Sequence, residues 1–499
     1  MLEYRERTKV TFNNLKIEGE ALDHNDIFSE ENIRKAQAFS EHVFEASKKC
    51  SEDFAELSKT IIESSVGTLQ TSGIIAPCNF AVIALGSVAK GEATPYSDLE
   101  YAFIVEKHDE YFTKLAVDSY FRIGNIGETP LKCFDITELK EGYTPYAVDM
   151  VSGYKIDGIT EWSGNIPTGN GKENGQPLTL TVEEFMELYK RDAESPFNEQ
   201  GDKSEVLSST TLIYTNGGRT CQLYEDFVNA RKEYEQLVAA DHEDVRKKRI
   251  HSFTTNLQRY PFFPEFVKFQ PPENLNLEIQ TDIFRYPTLL ANKTKMCMNW
   301  SLHYSWEVFS MLRSKGILSH ENHQYINIVL ALSIHLRTTA YFCLGSETRL
   351  VSLSLDIADS YKLPYNLFVI LGCLLIPIKN SIHTSACSIT DVSASSVGDW
   401  FSNETLVVKS DLLVKAEVYY FIGQYDVALY ELSKEVGSPF NTTKCSSFLL
   451  QIDLPVGSKR KWAELCCYLL YYTKNYAQAL DYLSWLSTQQ DGETKLWKL

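Results

Sequence analysis

The stretch from Gly86 to Glu106, GSVAKGEATPYSDLEYAFIVE, constrains this chain more than any other. It opens with a Gly-Ser turn directly after one apolar run, Phe80 to Leu85 (FAVIAL), and closes in a second, Leu99 to Val105 (LEYAFIV). Short apolar runs of this kind suit central strands. The stretch therefore reads as two strands joined by a tight connection, with a helical turn from Ser87 to Glu92. Asp98 and Glu100 stand two apart at the start of the second strand. Side chains alternate across a strand, so both carboxylates can face one point. Carboxylate oxygens are what hard divalent cations select. The Gly-Ser turn offers backbone N–H groups and a hydroxyl to a phosphate. Together these parts describe a metal-dependent site for nucleotidyl transfer.

The chemistry asked of such a site is electrostatic. A nucleoside triphosphate carries several negative charges, and its α-phosphorus resists an anionic nucleophile. Two Mg²⁺ ions, or Mn²⁺ in their place, held by Asp98, Glu100 and a third carboxylate, would activate an acceptor hydroxyl and stabilise departing pyrophosphate. Gly86 lets the backbone approach the phosphates without a Cβ clash. Ser87 can donate from its hydroxyl and its amide. Lys90 is placed to neutralise phosphate oxygens as a point charge, and Ser97 to orient Asp98. For the third carboxylate, Asp149 (YAVDMVS) and Asp157 (YKIDGIT) both fall on possible strands, and spacing does not choose between them.

GSVAKGEATPYSDLE closely resembles the motif of one branch of the DNA-polymerase-β-like nucleotidyltransferases. That branch holds protein-PII uridylyltransferase and glutamine-synthetase adenylyltransferase, and the likeness is greatest to members fused to helical or tetratricopeptide domains. By that pattern Gly86, Ser87, Lys90, Glu92, Ser97, Asp98 and Glu100 take the family's positions. FRIGNIGETPL (Phe121 to Leu131) and YKIDG (Tyr154 to Gly158) resemble the segments that follow, which favours Asp157 as third ligand. IYTNGG (Ile213 to Gly218) resembles a terminal strand and turn. DIFRYPTLL (Asp282 to Leu290) and IHLRTTAYF (Ile334 to Phe342) resemble the helical domain behind the catalytic one. The resemblance implies transfer of a nucleoside monophosphate to a hydroxyl, with a protein tyrosine, serine or threonine as acceptor. Two positions depart from it. Lys90 stands where relatives often have Arg, which loses bidentate phosphate contacts, and Glu100 stands where Asp is commoner. A second-messenger synthase and an inactive scaffold of the same fold are the alternatives.

With 499 residues the chain exceeds one ordinary core. Four segments suggest themselves: an N-terminal helical segment over 1–75, a catalytic domain over 76–225, a helical domain over 226–400 and tetratricopeptide-like hairpins over 401–499. The expected class is α+β, a small mixed sheet within a mostly helical chain. A helix over Ser29 to Leu69 is capped by Ser29, with Glu30 and Glu31 in its first turn. Helices also follow over His108 to Arg122, Thr181 to Arg191, Tyr224 to Leu237, Trp300 to Leu312, Asn322 to Phe342 and Tyr361 to Ile378, and a strand over Thr210 to Thr215. The Ser/Thr-rich segment Ser381 to Ser396 reads as a linker. In the last hundred residues Tyr-x-x-Ala-Leu recurs at Tyr425 and Tyr476 on paired helices, which suits stacked hairpins able to hold a protein partner.

The net charge of −18 argues against stable binding to a nucleic-acid backbone. The apolar run Leu367 to Ile378 is short of a membrane span and reads as a core helix. The start, MLEYRERTKV, lacks an apolar leader, and the 11 cysteines form no Cys-x-x-Cys pair. A cytoplasmic protein with reduced thiols is the expectation. Arg285 and Arg337 lie in helical segments and could reach phosphate, structural ion pairs being their plainer role. His251, His303 and His335 read as surface or core residues.

Overall fold

The computed structural model describes residues 2–97, 99–125, 179–194, 208–217, 222–259, 276–344, 350–352, 365–388, 394–401, 406–407, 412–422, 424–434 and 456–488. Two helices lead: α1, Leu2–Glu20, and α2, Glu30–Thr71. Ser29 caps α2 as its sequence predicts, the hydroxyl accepting from the Asn32 N–H at 3.3 Å. Phe39, Val43, Phe54 and Ile62 bury one stripe of α2, interleaved with Ser40, Ser47, Ser51 and Ser58. Three of these serines donate to the carbonyl four residues back, so their burial leaves no hydroxyl hydrogen unmet.

The sheet has four strands in the order β3-β2-β1-β4: β1, Phe80–Ala84; β2, Tyr101–Val105; β3, Thr179–Leu180; β4, Thr211–Thr215. β1 pairs antiparallel with β2 and β4, whereas β3 joins β2 in parallel, so the sheet is mixed. Every residue of β1 and β2 is buried, as apolar central strands require. The alternation divides them between two cores. Phe80, Val82, Tyr101, Phe103 and Val105 pack toward α2 and the next helix, α4, Glu110–Asn125. Ala81, Ile83, Leu85, Ala102 and Ile104 pack toward α5, Val182–Glu194, and α6, Gln222–Asp241. The short turn between β1 and β2, Gly86–Ala89, is α3.

The other described elements are mainly helices: α7, Glu243–Arg259; α8, Arg285–Cys297, continuing a π-helical segment, Ile279–Phe284; α9, Ser305–Ser314; α10, His320–Leu344; α11, Tyr365–Ser388; α12, Ala394–Asp399. A two-stranded ribbon, β5 (Asn276–Glu278) with β6 (Leu350–Ser352), brackets α8 to α10. Two hairpins end the chain: α13, Leu412–Phe421, with α14, Tyr425–Lys434; and α15, Val456–Tyr472, with α16, Tyr476–Thr488. One apolar cluster joins Phe12 of α1 to α2, α8 through α11 and both hairpins, as far as Leu486.

Three expectations need correction. The linker expected from Ser381 is helical through Ser388, because Ile378 and Ile382 carry the buried face of α11 past the Ser/Thr-rich composition; Ala394–Asp399 is helical as well. The helix expected from Trp300 starts at Ser305, where Glu307 turns back to accept from the His303 and Tyr304 N–H groups and fixes the start. The apolar run at Leu367 belongs to a longer helix than the run itself implies. Two described helices, His320–Cys343 and Asn366–His383, are long and apolar enough to cross a membrane by length and composition. Within the fold 83% and 61% of those windows are buried. Among the described residues Cys50, Cys297, Cys373, Cys466 and Cys467 are buried, as expected of core thiols.

Candidate active site

The site grows from the end of the β1–β2 ladder. Ala84 faces Tyr101 in the last paired rung, and one step further the Leu85 N–H donates to the Glu100 carbonyl at 2.9 Å. Glu100 is thereby held beside Gly86, where the chain leaves the sheet. Gly86 has φ of +56°, in the left-handed region that L side chains rarely adopt. A Cβ at this position would overlap the Glu100 carboxylate. The glycine thus does two jobs: it turns the chain and leaves room for the acid. Glu100 shares the sheet face of Ala102 and Ile104, the side covered by α5 and α6.

The connection from Gly86 to Ser97 is anchored from four directions. The Lys90 N–H returns to the Gly86 carbonyl at 3.1 Å and the Glu92 N–H to the Ser87 carbonyl at 2.9 Å, closing the turn. From α2, the Ser47 hydroxyl donates to the Gly91 carbonyl at 2.7 Å, and the Ser51 hydroxyl accepts from the Ala93 N–H at 3.0 Å. From α10, Arg337 donates to the Glu92 carbonyl at 3.2 Å while its guanidinium lies 4.1 Å from the Phe284 ring centre. From α9, the Ser305 hydroxyl bonds the Glu92 carboxylate. Arg5 of α1 reaches the Pro95 carbonyl and stacks on Tyr96. Gly91, at φ +72°, lies under the rings of Tyr304 and Trp306, which a Cβ would strike.

Lys90 and Glu92 are buried, at 6% and 4% exposure, so neither is a surface charge. Ser87 is half-buried on the turn. Ser97 is buried, and its hydroxyl accepts from the Thr94 N–H and meets the Thr94 hydroxyl, closing a local turn just ahead of Asp98. Asp98, Asp149 and Asp157 lie outside the described residues. Among the described residues no cluster of three or more acidic, His or Cys side chains forms a metal cage. The donor that is described, the Glu100 carboxylate in a pocket that a Cβ would fill, suits a hard cation such as Mg²⁺.

The sequence reading did not find the buried polar groups of the helical body. α8 is buried along its length from Tyr286 to Cys297, lysines included. Lys295 donates to the Ser209 hydroxyl at 2.6 Å and to the Leu302 carbonyl at 3.2 Å. Burial presses the Lys293 pKa down to about 7, with the Lys90 charge acting in the same direction and Cys297 against it. Next to them a buried pair ties α6 to α7: Arg249 bonds Glu235 at 2.7 Å, and Tyr189 donates to the same carboxylate at 2.7 Å. Arg249 also donates to the Met296 carbonyl and Asn299, which fixes the C-terminal end of α8. His335 is buried in the α10 core against Phe12 and Phe39, as its sequence setting suggests. Arg337, for which a structural role is the plainer expectation, is buried and anchors the connection through the Glu92 carbonyl.

A cleft of about 580 Å³ opens on the opposite side, between α2 and β4, over Val88 and Tyr304. Lys48 and Lys59 line it together with Glu52, Glu56 and Glu63. Glu100 is not among its walls.

A glycine turn with a carboxylate folded against it thus stands at the end of a small mixed sheet. Residues 31–127 match the family model described as "Putative nucleotidyltransferase DUF294". The matched span runs from α2 through the turn and β2 to α4 and contains Gly86, Ser87, Lys90, Ser97, Asp98 and Glu100. The likeness of this segment is to a nucleotidyltransferase family. No curated protein matches the chain.

Proposed function

We propose that the chain transfers a nucleoside monophosphate from a nucleoside triphosphate to a hydroxyl acceptor, and that the acceptor is a protein tyrosine, serine or threonine, in the manner of uridylyl- and adenylyltransferases. A bond forms between the acceptor oxygen and the α-phosphorus, the bond to the bridging β-oxygen breaks, the acceptor proton is released and pyrophosphate leaves. The observation that carries the reading is the Glu100 carboxylate lodged against Gly86 at positive φ, inside the matched segment.

In this reading Asp98, Glu100 and Asp157 hold two Mg²⁺ ions, with Mn²⁺ as a substitute; bound there, the ions supply charge neutralisation and acidify the acceptor hydroxyl. Gly86 and Ser87 present N–H groups and a hydroxyl to the phosphates, and Lys90 neutralises their oxygens from a water-poor position, where its charge acts at short range in low dielectric. The rigid connection positions these groups in advance. The two C-terminal hairpins act as tetratricopeptide-like units that engage the protein substrate, and the reaction takes place in the cytoplasm without a membrane or nucleic acid.

The test is labelling by a radiolabelled triphosphate in Mg²⁺, with each of the four bases, in a lysate containing candidate acceptors. The wild-type chain should transfer label and the Asp98→Ala/Glu100→Ala double variant should not. Equal labelling by the two refutes the assignment.

A further inference from the structure

The cleft between α2 and β4 runs along a sheet edge. β4 is the last strand in the order β3-β2-β1-β4, and among the described residues it pairs with β1 alone. Every residue of β1 and β2 is buried, whereas in β4 only Ile213 is. An edge strand of this kind presents backbone N–H and C=O groups with which another chain can pair. All five residues of β4 line the cleft.

The facing wall is one stripe of α2. Lys48, Glu52, Glu56, Lys59 and Glu63 line it, and steps of three and four residues put them on a single helix face. From Lys48 to Glu63 the helix rises about 22 Å. The five residues of β4 extend about 17 Å, so helix and strand bound a slot the length of a short extended peptide. Peptides that add a strand to a sheet occupy such edges: main-chain hydrogen bonds supply affinity, and contacts to alternate side chains supply selectivity.

Charge chooses the occupant. Lys59 is engaged by Glu56 at 3.3 Å, and the Lys48 ammonium lies 5.8 Å from the Tyr304 ring centre. Glu52 and Glu63 are exposed and form no ion pair among the described residues. Such a rim repels phosphate chains, and a second copy of this chain brings the same acids to the contact. It suits a strand that carries lysine or arginine. Val88, two residues from Gly86, lines the same cleft, so a segment seated on β4 passes beside the candidate site.

We infer that this groove docks an extended, basic segment of a partner protein, which pairs with β4 as an added strand and sets its cations against Glu52 and Glu63. That the segment belongs to the acceptor protein rests on the nucleotidyl-transfer reading; the docking itself does not.

Fluorescence anisotropy on the full chain, without nucleotide, tests this with a labelled peptide of about ten residues alternating lysine and threonine. It should bind, and its glutamate–threonine counterpart should not. The lysine peptide methylated at every backbone nitrogen keeps its charge but donates no main-chain hydrogen bond, and its affinity should fall about tenfold or more. Glu52→Lys/Glu63→Lys should weaken the unmethylated peptide about tenfold. Glu31→Lys/Glu243→Lys, which reverses as many exposed acids elsewhere, should leave its affinity within about twofold. Glu52→Gln/Glu63→Gln, with a smaller loss, serves if the lysine variant fails to fold. No binding by the wild type, equal binding of the methylated peptide, or equal loss in both lysine variants overturns the groove, as does a stable dimer with β4 protected from hydrogen exchange. Peptide binding without label transfer to any acceptor overturns the acceptor assignment and leaves the groove; label transfer without peptide binding does the reverse.

Discussion

At the residue scale, Gly86 and Lys293 make the sharpest demands. Gly86→Ala asks an L side chain to sit at φ +56° and in the space of the Glu100 carboxylate. The backbone term alone costs about 1 kcal/mol, and displacing the acid should remove label transfer while circular dichroism still reports a folded chain. Lys293 has a pKa of about 7 in the fold against an ordinary 10.5, chiefly through burial. Between those values the unfolded chain holds more protons than the folded one, so this group makes the protein more stable as pH rises from 7 toward 10.5 and adds no further change below 7. Urea midpoints of the wild type and Lys293→Met should therefore converge as pH rises from 7 to 10. A constant gap over that window contradicts the assignment. Gly86 was readable from the one-dimensional pattern because glycine before Ser, after an apolar run, has few other uses. Lys293 and Lys295 were not, because a lysine in an amphipathic string reads as a solvated charge, and its burial depends on what the fold lays over it.

At the element scale, α2 holds the turn directly, and a buried ion pair fixes the end of α8. Ser47 and Ser51 each tie α2 to the Gly91–Ala93 backbone. Replacing either by alanine removes its hydrogen bond to the turn and leaves a backbone group there unmet, at a cost of about 1 kcal/mol or more; guanidinium unfolding curves should shift by that amount with unchanged slope. The Arg249–Glu235 pair, which locks α6 and α7 to the end of α8, behaves differently. Breaking it from one side, as in Arg249→Met, strands a buried carboxylate and should cost about 3–5 kcal/mol, whereas Arg249→Met with Glu235→Leu should recover much of the loss. The melting temperatures of the three chains decide this. The elements themselves were legible wherever burial repeats with the helical or strand period, as in α2, β1 and β2. Where composition and burial disagree, as from Ser381 to Ser388, two isoleucines on the buried face outweighed the serines.

At the scale of the whole molecule, the C-terminal hairpins share one apolar cluster with α1, α2 and α8 through α11. Trp462, Tyr419 and Leu432 are fully buried within it. A chain ending at residue 404 should therefore expose a broad apolar surface and elute as aggregate in size-exclusion chromatography, even though the strands and the turn lie far upstream. A soluble, monodisperse truncation would show that the hairpins are dispensable to the core. The sequence by itself determined the local parts: two apolar strands, the glycine turn between them, the spacing of Asp98 and Glu100, and the long capped helix that precedes them. Each follows from interactions between residues close along the chain, where period and turn chemistry are explicit. Only the tertiary structure decided which distant groups meet that turn, namely Arg337 and Ser305, because contacts across two hundred residues depend on how helices pack, and side-chain burial is a property of that packing.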